Sequence, residues 1–246
     1  MHLSIQNHVA TLSFDRPEKA NALREEDWED LNNQLANLST HEDVRVIVLT
    51  GQGHTFSAGI DLSTLQYLMT KTYESQAKKE EFIFEFIQKL QEAVSAIEKC
   101  TKPVIAAVNG PCIGGGLDMA AACDMRYCSD EAYFCLKEID LGIVADLGVL
   151  QRLPYIINPG LVSEMAYTAR KVYGPEARDI GLVNNSFSSQ AELMERVGAL
   201  AREIALKPVA VVEGIKASML HQRTHSIQEG LDWIARENAE YMTKMF

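Results

Sequence analysis

Alternating apolar and polar positions open the chain. Residues 3–5 and 9–14 read as two short strands around a Gln6-Asn7-His8 turn. A loop over residues 15–21 follows. Residues 24–38 then repeat apolar side chains at helical spacing, with Trp28, Leu31, Leu35 and Leu38 on one face. Residues 44–50 and 103–108 are continuous apolar runs of strand length, the pattern of strands buried on both faces. Between them lie a loop over 51–61 and a long helix over 78–100. The Phe-rich face of that helix is read as core and as a candidate tunnel wall. A glycine-rich turn and a short alanine-rich helix follow residue 108. Strands are expected at 125–128 and 133–136. From about residue 158 the pattern becomes mostly helical and ends in amphipathic helices over 208–221 and 227–245. Strands alternating with helices predict an α/β fold. The change of pattern near residue 190 divides the chain into a core, 1–190, and a C-terminal helical region, 191–246.

Composition narrows the function. A net charge of −11 over 246 residues disfavours a nucleic-acid surface, though not a local basic pocket for a phosphorylated ligand. No apolar run approaches a membrane span. The five cysteines form no CxxC pair, so buried thiols are expected and a metal site is not. Met1 leads straight into the alternating pattern, and Lys244-Met245-Phe246 is not a peroxisomal address; a cytoplasmic protein is therefore expected.

Asp118, Glu138 and Asp146 are the candidate chemical groups. Asp118 follows three glycines and precedes Met119-Ala120-Ala121-Ala122; Glu138 and Asp146 bracket a largely apolar segment. An ionised carboxylate in such surroundings is costly unless paired, protonated or functional. Structural roles remain open at this point. Asp118 could cap a helix, Asp146 could cap one starting at Leu147, and Glu138 could pair with Lys137, Arg126 or Arg152. The loops over 51–61 and 109–116 each follow a strand and are rich in small residues. Side by side they could each present a backbone N–H to one oxygen, forming an oxyanion hole. Neither has the spacing of a phosphate loop or a dinucleotide fingerprint. Ser57 lacks a nucleophile-elbow context, and His54 reads as a solvated loop residue.

In order along the chain, Asp15-Arg16-Pro17-Glu18-Lys19-Ala20-Asn21-Ala22-Leu23, Phe56-Ser57-Ala58-Gly59-Ile60-Asp61-Leu62, and Lys102 to Gly110 leading into Gly114-Gly115-Gly116 resemble the enoyl-CoA hydratase/isomerase, or crotonase, family. The resemblance implies a crotonase-like spiral of ββα units, C-terminal helices that build a homotrimer or homohexamer, and an acyl-CoA substrate. Coenzyme A would then be part of the substrate, with no separate cofactor and no metal. It assigns the oxyanion donors to the N–H groups of Ala58 and Gly115. Ala20 and the stretch Ser57, Ala58, Gly59, Ile60 and Asp61 are assigned to coenzyme A binding, as is Gly115. Acids at 118, 138 and 146 together are similar to the Δ3,5-Δ2,4-dienoyl-CoA isomerases of fatty-acid β-oxidation. On that reading all three are catalytic: Glu138 is the base at C2, Asp146 the acid at C6, and Asp118 hydrogen-bonds or tunes its neighbours and could take part in proton transfer. A 2-enoyl-CoA hydratase using Asp118 and Glu138, a 3-enoyl-CoA isomerase and a non-catalytic crotonase-like interaction protein remain as alternatives.

Overall fold

The computed structural model describes residues 1–245. Phe246, and with it the end of the Lys244-Met245-Phe246 motif, lies outside the described residues. Strand β1 (His2–Gln6) pairs antiparallel with β2 (Val9–Phe14). Asn7 and His8 turn between them with φ of 51° and 64°, the left-handed pair that a two-residue hairpin requires. A single 3-10 turn, Pro17–Lys19, leads to α1 (Glu25–Thr40). Its first turn is acidic, and Asp27 accepts from the backbone N–H of Arg24 at 2.9 Å. The helix buries Trp28, Leu31, Leu35 and Leu38, the stripe its spacing predicts.

Strand β3 (Val46–Gly51) is buried throughout and lies parallel to β2. Helix α2 (Leu62–Thr70), begun by Asp61, and α3 (Gln76–Lys99), begun by Ser75, cross to β4 (Val104–Val108). No element is predicted from the sequence over the α2 stretch. A two-residue strand, β5 (Cys112–Ile113), precedes α4 (Gly115–Ala122), which is buried along its whole length. Next come β6 (Met125–Ser129) and β7 (Tyr133–Cys135). Beyond a 3-10 turn at Glu138–Leu141 lie α5 (Val149–Arg152), α6 (Pro159–Thr168), β8 (Val172–Tyr173), α7 (Gly174–Asp179) and β9 (Asn185–Phe187). Helices α8 (Gln190–Ala205), α9 (Val209–His221) and α10 (Ile227–Met245) end the described chain.

The main sheet runs β1-β2-β3-β4-β6-β9, parallel from β2 onward. A smaller sheet, β5-β7-β8, stands beside it. The central strands are apolar on both faces because both are covered. Ile47, Leu49, Val104, Ala106 and Val108 face the larger core with α1, α3 and α4. The alternate residues Val46, Val48, Ile105 and Ala107 face a second core closed by Leu193, Val197 and Ala201 of α8. Helix α8, which the division at residue 190 assigns to the C-terminal region, thus packs on the sheet.

Helix α9 is held to the body by buried charge. Lys216 Nζ pairs with Asp124 at 2.8 Å and donates to the carbonyls of Ile97 and Lys102. Lys102 in turn pairs with Glu213 at 2.5 Å. By contrast, Ile215, Met219, Ile227, Leu231 and Met242 of α9 and α10 are exposed.

Candidate active site

Two loops meet at the C-terminal ends of β3 and β4. Ser57 and Cys112 form a parallel bridge between them, and Ser57 O accepts from Ile113 N–H at 3.0 Å. The approach is close enough to demand glycine. A Cβ on Gly59 (φ +79°) would stand 2.7 Å from the Gly115 nitrogen, and one on Gly115 would stand 2.9 Å from Cη2 of Trp28. The buried Trp28 ring is therefore a floor under the second loop. Periodicity showed Trp28 only as core.

The first loop also decides which N–H groups are free. Leu23 N–H donates to Gly59 O at 2.7 Å and Asp61 N–H to Leu23 O at 2.8 Å. The intervening Ile60 peptide therefore points its N–H away from Leu23. Among the described residues Ile60 N–H has no intramolecular acceptor, and neither does Gly115 N–H at the start of α4. Both residues line one cavity. The Ala58 N–H, assigned to the oxyanion hole by resemblance, instead donates to Ala20 O at 2.9 Å. That donor is spent on the fold, and Ile60 replaces it in the free pair.

The cavity encloses about 610 Å³. One wall is apolar, formed by Leu65 and Leu68 of α2 and Phe86 and Leu90 of α3. The candidate tunnel wall on the α3 face lies here. Lys19, Lys79 and Lys137 also line it, giving an acidic protein a local set of cations. Of the residues assigned to substrate binding, Ala58, Ile60, Asp61 and Gly115 line the cavity. Ser57 is fully buried, and its hydroxyl donates to Asn21 O at 2.8 Å and accepts from Gly59 N–H at 3.0 Å. It shapes the loop and does not face the cavity. Ala20 and Gly59 likewise act through the backbone, as the acceptors for Ala58 and Leu23. Asp61 accepts from the Ser63 hydroxyl at 2.7 Å and from Ser63 N–H at 3.0 Å at the start of α2, and pairs with Arg16 at 3.1 Å; these hold its carboxyl below the usual range.

The three candidate acids converge here. Glu138 and Asp146 line the cavity, and Gly114 lies against Glu138 Oε1. Asp118 is buried within α4. Its Oδ1 accepts from Val149 N–H at 2.6 Å, which makes Asp118 the cap of α5. The capping role open to Asp146 is thus filled from another helix, and α5 begins at Val149 instead of Leu147. The pairings considered for Glu138 do not form. Lys137 bonds Asp140, Arg126 donates to the carbonyls of Leu182 and Cys123, and Arg152 pairs with Glu98 at 2.9 Å. Asp118 Oδ2 and Glu138 Oε2 are buried without a hydrogen-bond partner.

All three acids hold protons more tightly than usual. Burial, reinforced by the Glu138 charge, pushes Asp118 up to about 8. Burial raises Glu138, with the Asp146 charge adding to it, and burial raises Asp146. Two free N–H groups beside carboxyls of perturbed acidity can polarise a carbonyl and move protons at the adjacent carbons. Among the described residues no cluster of His, Cys, Asp and Glu is grouped as metal ligands would be, and no helix is long and apolar enough to cross a membrane.

This geometry of paired loop N–H groups and acids on a ββα scaffold defines a class. The sequence model of the enoyl-CoA hydratase/isomerase family matches residues 4–244, and the chain belongs to that family. Among its relatives, the chain is 41% identical over 237 residues to the mitochondrial Δ(3,5)-Δ(2,4)-dienoyl-CoA isomerase of Mus musculus, covering 96% of this chain and 72% of the relative. It is 44% identical over 233 residues to the peroxisomal Δ(3,5)-Δ(2,4)-dienoyl-CoA isomerase of Arabidopsis thaliana, covering 94% and 84%. A putative enoyl-CoA hydratase from Streptomyces coelicolor superposes with a TM-score of 0.90 at 28% identity, covering 98% of this chain and 86% of that one. One from Thermobifida fusca, solved in complex with acetoacetyl-CoA, gives 0.87 at 28% identity, covering 99% and 94%.

Proposed function

We propose that the chain is a Δ3,5-Δ2,4-dienoyl-CoA isomerase of fatty-acid β-oxidation. One observation carries this reading: Asp146 lines the same cavity as Glu138 and the two residues with free loop N–H groups, Ile60 and Gly115. The relatives in mouse and Arabidopsis support it by name. A hydratase built on Asp118 and Glu138 would give Asp146 no task.

The thioester oxygen binds between Ile60 N–H and Gly115 N–H, which stabilise the charge it gains as C2 loses a proton. Glu138 takes that proton. The resulting anion spreads over oxygen, C2, C4 and C6. Asp146 delivers a proton to C6, leaving double bonds at C2 and C4. Removal and delivery sites are four bonds apart, so one carboxylate hardly serves both. Two acids in opposite protonation states do. Asp118 stays neutral and caps α5, whose first turn follows Asp146 closely. The reaction is redox-neutral, and its proton steps need only carboxyl groups. Lys19, Lys79 and Lys137 suit the phosphates of coenzyme A, and the α2–α3 wall suits the acyl chain.

The exposed apolar residues of α9 and α10 pack against further copies of the chain in a closed trimer or hexamer. A monomer in light scattering at micromolar concentration would contradict that assembly.

The direct test is ultraviolet. Conversion of 3,5-dienoyl-CoA brings the diene into conjugation with the thioester and creates a new absorbance. The same preparation is offered 2-enoyl-CoA. Hydration faster than isomerisation would replace the isomerase reading with a hydratase.

A further inference from the structure

Asp146 stands in the wall between two cavities. On its second side, between α3, α5 and the turn joining α9 to α10, lies a cleft of about 460 Å³. Asp146 and Leu147 line both spaces. The two differ in chemistry. The first is walled by Leu and Phe side chains, whereas the second is lined by Gln91, Ser95, Glu98, Gln151, Arg152 and Arg223. Arg152 pairs with Glu98 at 2.9 Å and donates to Ser95 Oγ at 3.2 Å, and Arg223 also pairs with Glu98. The wall itself is held from the cleft side. Gln91 Nε2 donates to Asp146 O at 2.6 Å and Arg152 Nη1 to Leu147 O at 3.1 Å. An acyl chain gains nothing among such groups, and water does.

The proposed isomerisation creates a need that this cleft answers. The C2–H bond breaks and a Glu138 O–H forms; the Asp146 O–H breaks and a C6–H forms. Glu138 ends neutral and Asp146 ends ionised, the reverse of the starting state. One proton must leave Glu138 and one must reach Asp146 before the next turnover. While product fills the apolar cavity, water has poor access to either acid from that side.

We propose that Asp146 is reprotonated from bulk water through the polar cleft, an entry for protons separate from the entry for acyl-CoA. The proposal rests on the isomerase reading. Asp146 takes one proton from solvent, Glu138 returns one to solvent as product leaves, and no net proton is consumed.

The test uses 3,5-dienoyl-CoA deuterated at C2, in ordinary water, at saturating concentration over many turnovers. The proposal expects product with hydrogen from solvent at C6. Deuterium at C6 would mean that Glu138 hands its proton to Asp146 directly, and would overturn the proposal. The route is tested by filling the cleft from its exposed rim with Thr224→Trp and, separately, Gln151→Trp. Expected are a steady-state rate lowered about tenfold, an unchanged single-turnover rate, and unchanged affinity for a saturated acyl-CoA. An unchanged steady-state rate in two folded variants would overturn the proposal. A change that appears only with longer acyl chains would assign the cleft to the substrate tail and overturn it as well. Absence of any isomerisation by the unmodified protein would instead remove the functional reading on which the proposal stands.

Discussion

Asp118 and the segment from Glu138 to Asp146 hold acids for the same site but are built in opposite ways. Asp118 lies in a helix buried at every residue, with one oxygen fixed by the Val149 N–H. Glu138 and Asp146 lie on a strip of single turns in which Ile139, Leu141, Ile143 and Val144 are exposed. Burial raises the Asp118 carboxyl to about 8; partial burial raises the other two, which line the cavity. The difference separates support from reaction. A carboxyl spent on capping a helix cannot swing toward a substrate, whereas one in a cavity wall can exchange protons with it.

The largest expected effect is at the base. Glu138→Gln should lower isomerisation about 1000-fold, within the range for loss of a positioned acid or base, and should abolish deuterium exchange at C2. Survival of that exchange would move the base to Asp146. Next come the donors. Replacing the Ile60 amide by an ester, through its α-hydroxy analogue, removes one free N–H and should cost about 100-fold in kcat. The same replacement at Ala58 breaks the bond to Ala20 and should lower Tm while sparing kcat. The reverse pattern would restore Ala58 as the donor. Gly59→Ala should also cost about 100-fold, since its Cβ would strike the Gly115 nitrogen.

The smallest effect sharpens the contrast at Asp118. Its carboxyl rises from 3.8 in the unfolded chain to about 8 in the folded one, so the folded state binds the proton more tightly. The stability this supplies is complete below the unfolded value and is lost as pH rises through about 8. Asp118→Asn keeps an oxygen for Val149 N–H and carries no charge. Its Tm relative to wild type should therefore climb between pH 5 and 9, by about 2–4 °C for each kcal/mol gained. A difference in Tm that stays flat with pH would show that Asp118 is not protonated in the fold.

The sequence made much of this legible. The strands β2, β3 and β4 and the helices α1 and α3 announce themselves through apolar runs and helical spacing, because their burial is set by long, regular patterns. Helix α2 is also present in the pattern, as Leu62, Leu65, Leu68 and Met69 after the Asp61 cap, but it is short and directly follows a loop. Strands β5, β8 and β9 have two or three residues each and exist only through pairing with β7 and β6. No local signal specifies them. The acids were legible because charge in apolar text is conspicuous. The free loop N–H lies two residues beyond the one the motif suggests because a motif gives a loop, whereas the direction of each peptide in it depends on Leu23 and Ala20, more than thirty residues away in the chain. Trp28 shows the same limit. Its helical spacing marks it as buried, but nothing local says that it is buried under Gly115.

The central claim is that Glu138 and Asp146 act at opposite ends of the diene, and Asp146→Asn tests it most directly. The side chains are nearly isosteric, so fold and acyl-CoA affinity should persist. Isomerisation of 3,5-dienoyl-CoA should fall about 100-fold or more, while deuterium exchange at C2, measured in heavy water, should survive better because Glu138 and the Ile60 and Gly115 donors remain. Isomerisation at the wild-type rate by Asp146→Asn would contradict the account.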